Sequence, residues 1–466
     1  MASRRDLVES FQFAARRVVS AVVMRQTDPT EWPYRRLGGA GFGAVMVTVI
    51  ALAAVGIYGL ISPGGKTSWR DGRTVIVVKE TGAPYVYLDG KLHAVLNFSS
   101  AALLAGTTAV TSTAAASLMG VPRGVELGIP DAPTTLPRDS DLVLPPWSLC
   151  TQQVPDTAGN LVSRTRMVVG RGPRQGTATG EKALLVTDTA DSQLYLVWHD
   201  LRFPLTDTDV DRVAMGLDNQ VTVPVGDAWL KALPAGQPIG PLTVAGSGQP
   251  SNAVPGVTTG QVLAVQGASQ ATQYYLAGAD RLTPVSQLQA LIQQAAGAVV
   301  RQIPPGTAAA APKDTLAPTG PTQPPASVPD FARPAQSSTV VCAAYANGSF
   351  SPQVIINSEI PAGGGLPTGA QSPNGTPLAD RVWVPPGRAA LVEAMPSPEA
   401  TDGPRYLVTD LGRRYAVPST AALRSLGLTE AHLSRLPASL VVRLPEGPAL
   451  APEAARAALQ EETNQN

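Results

Sequence analysis

The chain has 466 residues, 44% of them hydrophobic, enough for two or more compact units with cores of their own and too apolar for a disordered protein. Proline and glycine number 44 each while charged residues make up 15%, a balance that favours short strands, many turns and an extended linker over long helices. Lysine plus arginine equals aspartate plus glutamate at 35 each, and no basic–aromatic cluster is present, so neither net charge nor motif points to nucleic acid.

In residues 4–25, "RRDLVESFQFAARRVVSAVVMR", the residues Leu7, Phe11, Ala14, Val18 and Val22 recur every three or four positions beside a face bearing Arg16 and Arg17. That spacing predicts an amphipathic helix, of a kind that docks on a partner or lies on a membrane. Pro29 and Pro33 end it. Leu37 to Gly65 then carries no charged residue, and roughly 20 apolar residues suffice to cross a bilayer as a helix. The length of the segment before it and the flanking aromatics Trp32, Tyr34, Tyr58 and Trp69 favour a membrane anchor over a cleaved signal peptide. Arg16, Arg17, Arg25, Arg35 and Arg36 precede the span, against Lys66, Arg70 and Arg73 beyond it, which places the N-terminus in the cytosol and the remainder outside. Gly39 and Gly43 are spaced as in a helix-pairing motif, but a Gly-rich entry to the helix explains them as well. "GAGFGA" has no strand before it and is no dinucleotide fingerprint.

At the far end of the span, "GLISPGGKTSW" resembles the close of a phosphate-binding loop. Such a loop needs glycine at position 60, where Leu60 stands, and a strand upstream, where the membrane helix stands. Pro63, Gly64 and Gly65 are sufficient as a helix stop. Gly65, Lys66 and Thr67 are therefore kept only as an alternative, nucleotide-binding site.

Beyond the membrane one grammar recurs four times: an apolar run, a turn, a second run with a Tyr-Leu pair, a polar turn, a short third run and an Ala/Leu stretch. The pairs are Tyr87-Leu88, Tyr195-Leu196, Tyr275-Leu276 and Tyr406-Leu407. The unit reads as strand, strand, strand, short helix, with Ser99, Asp207, Ser286 and Ser419 as candidate N-caps. Such units are too small to stand alone, so they should pack on one another or on a shared centre. The only cysteines, Cys150 and Cys342, lie far apart in an extracytoplasmic region, and one disulfide between them is the natural reading, with two buried free thiols as the alternative. The bridge would draw residues 119–175 and 338–385 into one central domain. Residues 303–337 are so rich in proline that they read as a long exposed linker.

The expected fold is α+β and strand-rich: an N-terminal amphipathic helix and a single transmembrane helix, then an elongated extracytoplasmic region with a central β-rich core domain and four small ββ(β)α repeat domains. In residues, 1–36 form the cytosolic helix, 37–62 the span, 63–118 a linker and the first repeat, 119–175 the first part of the core, and 176–240 and 241–302 the second and third repeats. The linker 303–337, the core return 338–385, the fourth repeat 386–445 and a tail 446–466 complete it.

Little catalytic chemistry is visible. His93, His199 and His432 stand apart from one another and from the cysteines, with no ligand spacing. "DTDVD", Asp207 to Asp211, has Arg212 where a calcium loop needs glycine and Asp218 where it needs glutamate. No Gly-x-Ser-x-Gly elbow and no acid–base carboxylate pair occur. The expectation is no catalytic residue, no metal and no cofactor.

The segments "VKETGAPYVYLDGKLHAVLNFSSAALL", "VPRG", "GIPDAP" and the "WSLC" context of Cys150 resemble the EccB family, single-pass components of the actinobacterial type VII (ESX) secretion machinery. The likeness is most specific from Thr74 to Cys150. It implies a structural, homo-oligomeric subunit of the cytoplasmic membrane, with a disulfide-joined periplasmic core decorated by repeats. The partners it implies are EccC, EccD and EccE subunits and a nearby MycP-type protease. In that family EccC carries the ATPase domains, although EccB proteins are sometimes labelled ATPases. An envelope ATPase acting through Lys66, or a cell-wall-binding module, are the alternative functions.

Overall fold

The computed structural model describes residues 3–25, 34–61, 68–267, 271–315, 320–361 and 364–457. They form two compact units, one of Met1–Arg70, Val77–Gly82 and Ser112–Val121 and one of Asp71–Ile76, Ala83–Thr111 and Pro122–Asn466. In the first unit, α1 (Arg4–Met24) opens with a reciprocal cap: the Ser3 hydroxyl accepts the Asp6 amide and the Asp6 carboxylate accepts the Ser3 amide at 2.9 Å. Its apolar stripe is open, with Leu7, Phe11, Val18 and Val22 exposed. Helix α2 (Tyr34–Ile61) contains one stretch, Gly38–Ile57, long and apolar enough to cross a membrane, and none of that stretch is buried within the protein. Thr48 satisfies its hydroxyl on the Ala44 carbonyl at 2.8 Å, as a polar group in an apolar helix must. Trp69, expected at the outer interface, is instead buried, its indole enclosed by protein. Trp32 lies outside the described residues.

Among the described residues, four small sheets and one large one follow. The first small sheet has β1 (Val75–Val78), β2 (Pro84–Leu88), β3 (Lys91–Ala94), helix α3 (Phe98–Ala105) and β4 (Val110–Thr113). Then come β5 (Trp147–Pro155), β6 (Leu161–Val168) and β7 (Thr177–Ala178) of the large sheet. The second small sheet has β8 (Leu184–Asp188), β9 (Leu194–Trp198), β10 (Leu201–Pro204), α4 (Thr208–Met215) and β11 (Val223–Val225), followed by the short α5 (Asp227–Leu230). The third has β12 (Val262–Gln266), β13 (Thr272–Ala277), β14 (Leu282–Val285), α6 (Gln287–Ala295) and β15 (Val300–Gln302), then α7 (Pro305–Ala310). The chain returns to the large sheet with β16 (Val341–Tyr345), β17 (Gln353–Ile356), β18 (Leu366–Pro367) and β19 (Arg381–Trp383). The fourth small sheet has β20 (Ala389–Met395), β21 (Arg405–Thr409), β22 (Arg414–Ala416), α8 (Thr420–Ser425) and β23 (Leu433–Pro437), before α9 (Ala438–Val441) and α10 (Pro452–Ala455).

Each small sheet has the order third, second, first, fourth strand. The fourth strand, which the sequence pattern did not reveal, follows the helix and runs parallel to the first, as β11 does on β8, β15 on β12 and β23 on β20. Asp207, Ser286 and Ser419 cap their helices as expected, each accepting an amide three residues on. In the first sheet the cap is Asn97 rather than Ser99: Asn97 is extended and accepts the Ser100 amide at 2.9 Å, while Ser99 is already helical and donates to the Pro133 carbonyl. The Tyr-Leu pairing also shifts there. Tyr195 faces Pro204 and Tyr406 faces Ala416, each partner three residues before the cap. The residue in that place in the first sheet is Ala94, and it faces Tyr85, so Tyr85-Val86 rather than Tyr87-Leu88 is the equivalent pair.

A fifth extended piece runs beside every third strand. The carbonyl of Pro122, Pro234, Pro312 or Pro445 accepts the amide of Leu92, Arg202, Leu282 or Arg414, and the residue two beyond the proline donates its amide back to the same third-strand residue. That returning residue is Gly124, Gly236, Asp314 or Gly447. A Cβ on Gly124, Gly236 or Gly447 would collide with the ring of His93, Phe203 or Tyr415, so glycine is required under each ring. In the third sheet the ring is replaced by Thr283, whose hydroxyl donates to the Asp314 carboxylate at 2.6 Å.

Described parts of the segment 303–337 pack on the small sheets, where the sequence predicts an exposed linker. Pro304 and Pro305 open α7, where a missing N–H is no loss, and Ile303, Ala308 and Ala311 are buried in the core of the third sheet. Farther on, the Asp330 carbonyl accepts the Ala183 amide at 2.8 Å, and Val328 and Phe331 pack on the core of the second sheet. Proline density excluded regular strands, but it left side chains free to fill cores.

A disulfide-stapled sheet that carries the smaller sheets

The large sheet, in the order β18-β19-β6-β5-β16-β17-β7, joins segments from both halves of the chain. Its centre is the antiparallel pair β5 and β16, in which Cys150 lies directly opposite Cys342, and the two are bonded. Closing a loop of 192 residues constrains the unfolded chain by about 5 kcal/mol in the chain-entropy account.

Side chains alternate across a sheet, so the faces differ. One face sends Trp147, Leu149, Met167, Ala343 and Val354 into a single buried cluster. The same cluster contains Val186 and Val197 of the second small sheet and Val392 and Val408 of the fourth. Those two sheets therefore stand on one face of the large sheet through a continuous apolar core, the strongest general form of attachment. Tyr195 and Tyr406, from the Tyr-Leu pairs, pack on that core, while Leu196 faces its own sheet's helix in a separate cluster. This second cluster takes in Leu288 and Ile292 of α6, joining the second and third sheets. Helix α3 of the first sheet packs on α8 of the fourth.

Polar contacts at the seams supply register. The Thr151 hydroxyl accepts the Gly226 amide at 3.1 Å, the Tyr345 hydroxyl donates to the Ala232 carbonyl at 3.1 Å, and Asp200 accepts the Val354 amide at 2.9 Å. Burial pushes the Asp200 carboxyl and the Tyr345 phenol above their usual ranges. Asp139 accepts the Thr429 amide at 2.9 Å, the Thr429 hydroxyl at 3.0 Å and the His432 ring at 3.2 Å, and the Thr429 amide foremost holds its carboxyl below the usual range. Within the fourth sheet the buried Glu393 lies opposite Arg405 and Arg435 and pairs with both.

These contacts are not ordered as a nucleophile–base–carboxylate relay. The Asp139, His432 and Thr429 group has the membership of a nucleophilic triad but the wrong order, since the carboxylate rather than the imidazole sits in the middle. His93 is buried in β3 with Nδ1 at 2.8 Å from the Val125 carbonyl, and His199 stacks on Trp198 and pairs with Glu181 at 2.6 Å. Asp207 to Asp211 form a capped helix start rather than a calcium loop. Among the described residues no group of three His, Cys, Asp or Glu side chains is placed to hold a metal. Gly65, Lys66 and Thr67 lie outside the described residues. The sequence reading missed the Pro-x-Gly straps, although "PRGVEL", "PAGQPI" and "PEGPAL" share a legible spacing of Pro, Gly and a buried Leu or Ile.

A helix suited to cross a membrane, followed by small sheets joined to a disulfide-stapled central one, defines the class: an anchored modular scaffold. The chain belongs to the family described as "Type VII secretion system ESX-1, transport TM domain B", whose profile matches residues 1–462. Among its relatives, the Mycobacterium tuberculosis protein named ESX-2 secretion system ATPase EccB2 is 28% identical over 88% of this chain and 86% of its own. The Mycolicibacterium smegmatis ESX-3 secretion system ATPase EccB3 is 26% identical over 96% of this chain and 89% of its own. Among solved structures, the EccB3 dimer from the ESX-3 core complex matches with a TM-score of 0.58 at 24% identity, covering 82% of this chain and 99% of that one. A chain of the intact ESX-5 inner membrane complex matches with a TM-score of 0.57 at 23% identity, covering 98% of this chain and 95% of that one. At such identities the structural likeness speaks to the fold.

Proposed function

We propose that this chain is a structural, single-pass subunit of a type VII secretion membrane complex, organising its extracytoplasmic assembly. The observation that carries the reading is the shared apolar core between one face of the stapled sheet and two of the small sheets, which makes a continuous platform. Family membership supports it. In this reading each small sheet with its helix and strap is a repeat domain, four in all, on a central domain built around the large sheet. The arginine excess before α2 sets the N-terminus in the cytosol of a cell whose cytoplasmic membrane α2 spans, and puts the sheets outside. The exposed stripe of α1 is the docking face for EccC-, EccD- and EccE-type subunits, and the sheets pair with further copies of the chain near a MycP-type protease. Affinity capture of the tagged full chain in mild detergent should recover EccC- and EccD-type proteins. Recovering it alone from secretion-competent cells would refute the reading.

The relatives' names carry the word ATPase. The phosphate-loop spacing at Lys66 is a residue out of place, and the proposal is that this chain does not hydrolyse ATP. ATP turnover by the purified full chain that disappears in Lys66→Ala would overturn that half of the proposal.

A further inference from the structure

The other face of the large sheet carries a cleft that scaffolding does not use. Because β6 sends Met167 into the shared core, Arg164 and Arg166 leave the opposite face. On the neighbouring parallel strand Arg381 lies directly opposite Arg166 and shares that face, since Val382 beside it is also in the core. Adjacent strands are about 4.8 Å apart, so two guanidinium groups are launched side by side. A cleft of about 430 Å³ opens over them, within the size range of small-ligand sites, with Val154, Ile360 and Pro367 supplying apolar wall.

Among the described residues that line the cleft are three arginines, Arg164, Arg166 and Arg381, and one carboxylate, Asp380. That carboxylate is already engaged, accepting Arg164 Nη1 at 2.9 Å and the Thr165 amide at 2.7 Å. Arg381 is held by neutral groups, its Nε donating to the Gly364 carbonyl at 2.6 Å and its Nη2 to the Gly365 carbonyl at 2.9 Å. Those bonds fix the fork in place and leave its charge uncancelled. Burial foremost, and Arg381 next, hold the Arg166 guanidinium below its usual range. Like charges opposed on neighbouring strands are destabilising, and an oxyanion laid over both would relieve the repulsion while accepting paired hydrogen bonds from planar guanidinium forks.

We propose that this cleft is an oxyanion-binding site, in which Arg166 and Arg381 hold the carboxylate or phosphate of a small ligand whose carbon body rests on Val154 and Ile360. The full chain, purified in mild detergent at constant ionic strength, is titrated calorimetrically with inorganic phosphate and, separately, with acetate. Saturable binding of at least one ion is expected, and Arg166→Gln should weaken it about tenfold, the loss of one charge-assisted contact. Tighter phosphate marks the ligand as a phosphate ester, and tighter acetate marks it as a carboxylate. No saturable binding of either ion, or equal binding by Arg166→Gln, overturns the proposal. If circular dichroism shows Arg166→Gln unfolded, Arg166→Lys and Arg381→Lys keep the charge but lose the fork, and binding by both at the wild-type level overturns it equally. The isolated chain suffices for these titrations, so their outcome does not depend on whether other secretion subunits are recovered with it.

Discussion

The second and third small sheets share one backbone plan, and each departs from it at a buried place. Four residues after the helix cap, three of the sheets bury an apolar side chain, Ala101, Ala290 or Leu423, where the second buries Asp211. Under the third strand, three sheets lay a ring on a glycine, where the third places Thr283 on Asp314. The departures differ in kind. Thr283 and Asp314 changed together and satisfy each other, so the third sheet exchanges packing for a hydrogen bond. Asp211 has no such counterpart: one carboxylate oxygen accepts the Asp207 amide at 3.2 Å, and Oδ1 has no hydrogen-bond partner among the described residues. A shared plan is therefore a backbone property, and each sheet solves its side-chain problem locally.

Both sheets stand in the unit that the disulfide staples, and removing it is the largest expected effect. Cys150→Ala combined with Cys342→Ala should lower unfolding free energy by about 5 kcal/mol, read from urea midpoints against wild type with and without reductant. Indifference to reductant in the wild type would show that the staple contributes nothing. Next, Phe203→Ala should cost about 3–5 kcal/mol, as for a fully buried ring, while Thr283→Ala should cost about 1 kcal/mol. Equal costs would break the contrast between packed and hydrogen-bonded straps.

Gly236→Ala comes third, at about 1–3 kcal/mol, because its methyl group would collide with the Phe203 ring. Combining Phe203→Thr with Gly236→Asp should cost less than the sum of the two, since the pair recreates the arrangement of the third sheet. Strict additivity in that cycle would show the two positions to be uncoupled.

The smallest effect is read as a slope. Burial raises the Asp211 carboxyl to about 6, above its unfolded value near 3.9, so the folded state holds the proton more tightly. Its favourable contribution is present below about pH 4 and is lost as pH rises toward 6. Asp211→Asn should flatten stability between those values and raise it at pH 7, measured by thermal unfolding across the pH series. A slope that survives the substitution would assign it to another group.

Much of each sheet is legible locally. Asp207, Ser286 and Ser419 announce their helices because a capping side chain acts within three residues. "LNFSSAAL" offers Asn97, Ser99 and Ser100, all able to cap, and the end of β3 decides among them. "YVY" gives two tyrosines on one face, and only pairing with β3 selects Tyr85 as the equivalent of Tyr195. The fourth strands are short, some as exposed as β15, and carry too little alternation to be seen. The segment 303–337 misleads because proline bars hydrogen-bonded strands without barring burial. Of the site residues, the disulfide follows from the chain having two cysteines, whereas Gly65, Lys66 and Thr67 lie outside the described residues.

By itself the sequence determined a helix long and apolar enough to cross a membrane, the recurrence of the small units and most of their caps, and it made a disulfide the natural reading of its two cysteines. Each of these depends on composition, on counting or on residues a few positions apart. Only the tertiary structure decided that two sheets share a core with the stapled one, that a glycine must lie beneath Phe203, and that Arg166 faces Arg381. These are matters of register between strands and straps distant in the chain, and register is set by which faces are buried together.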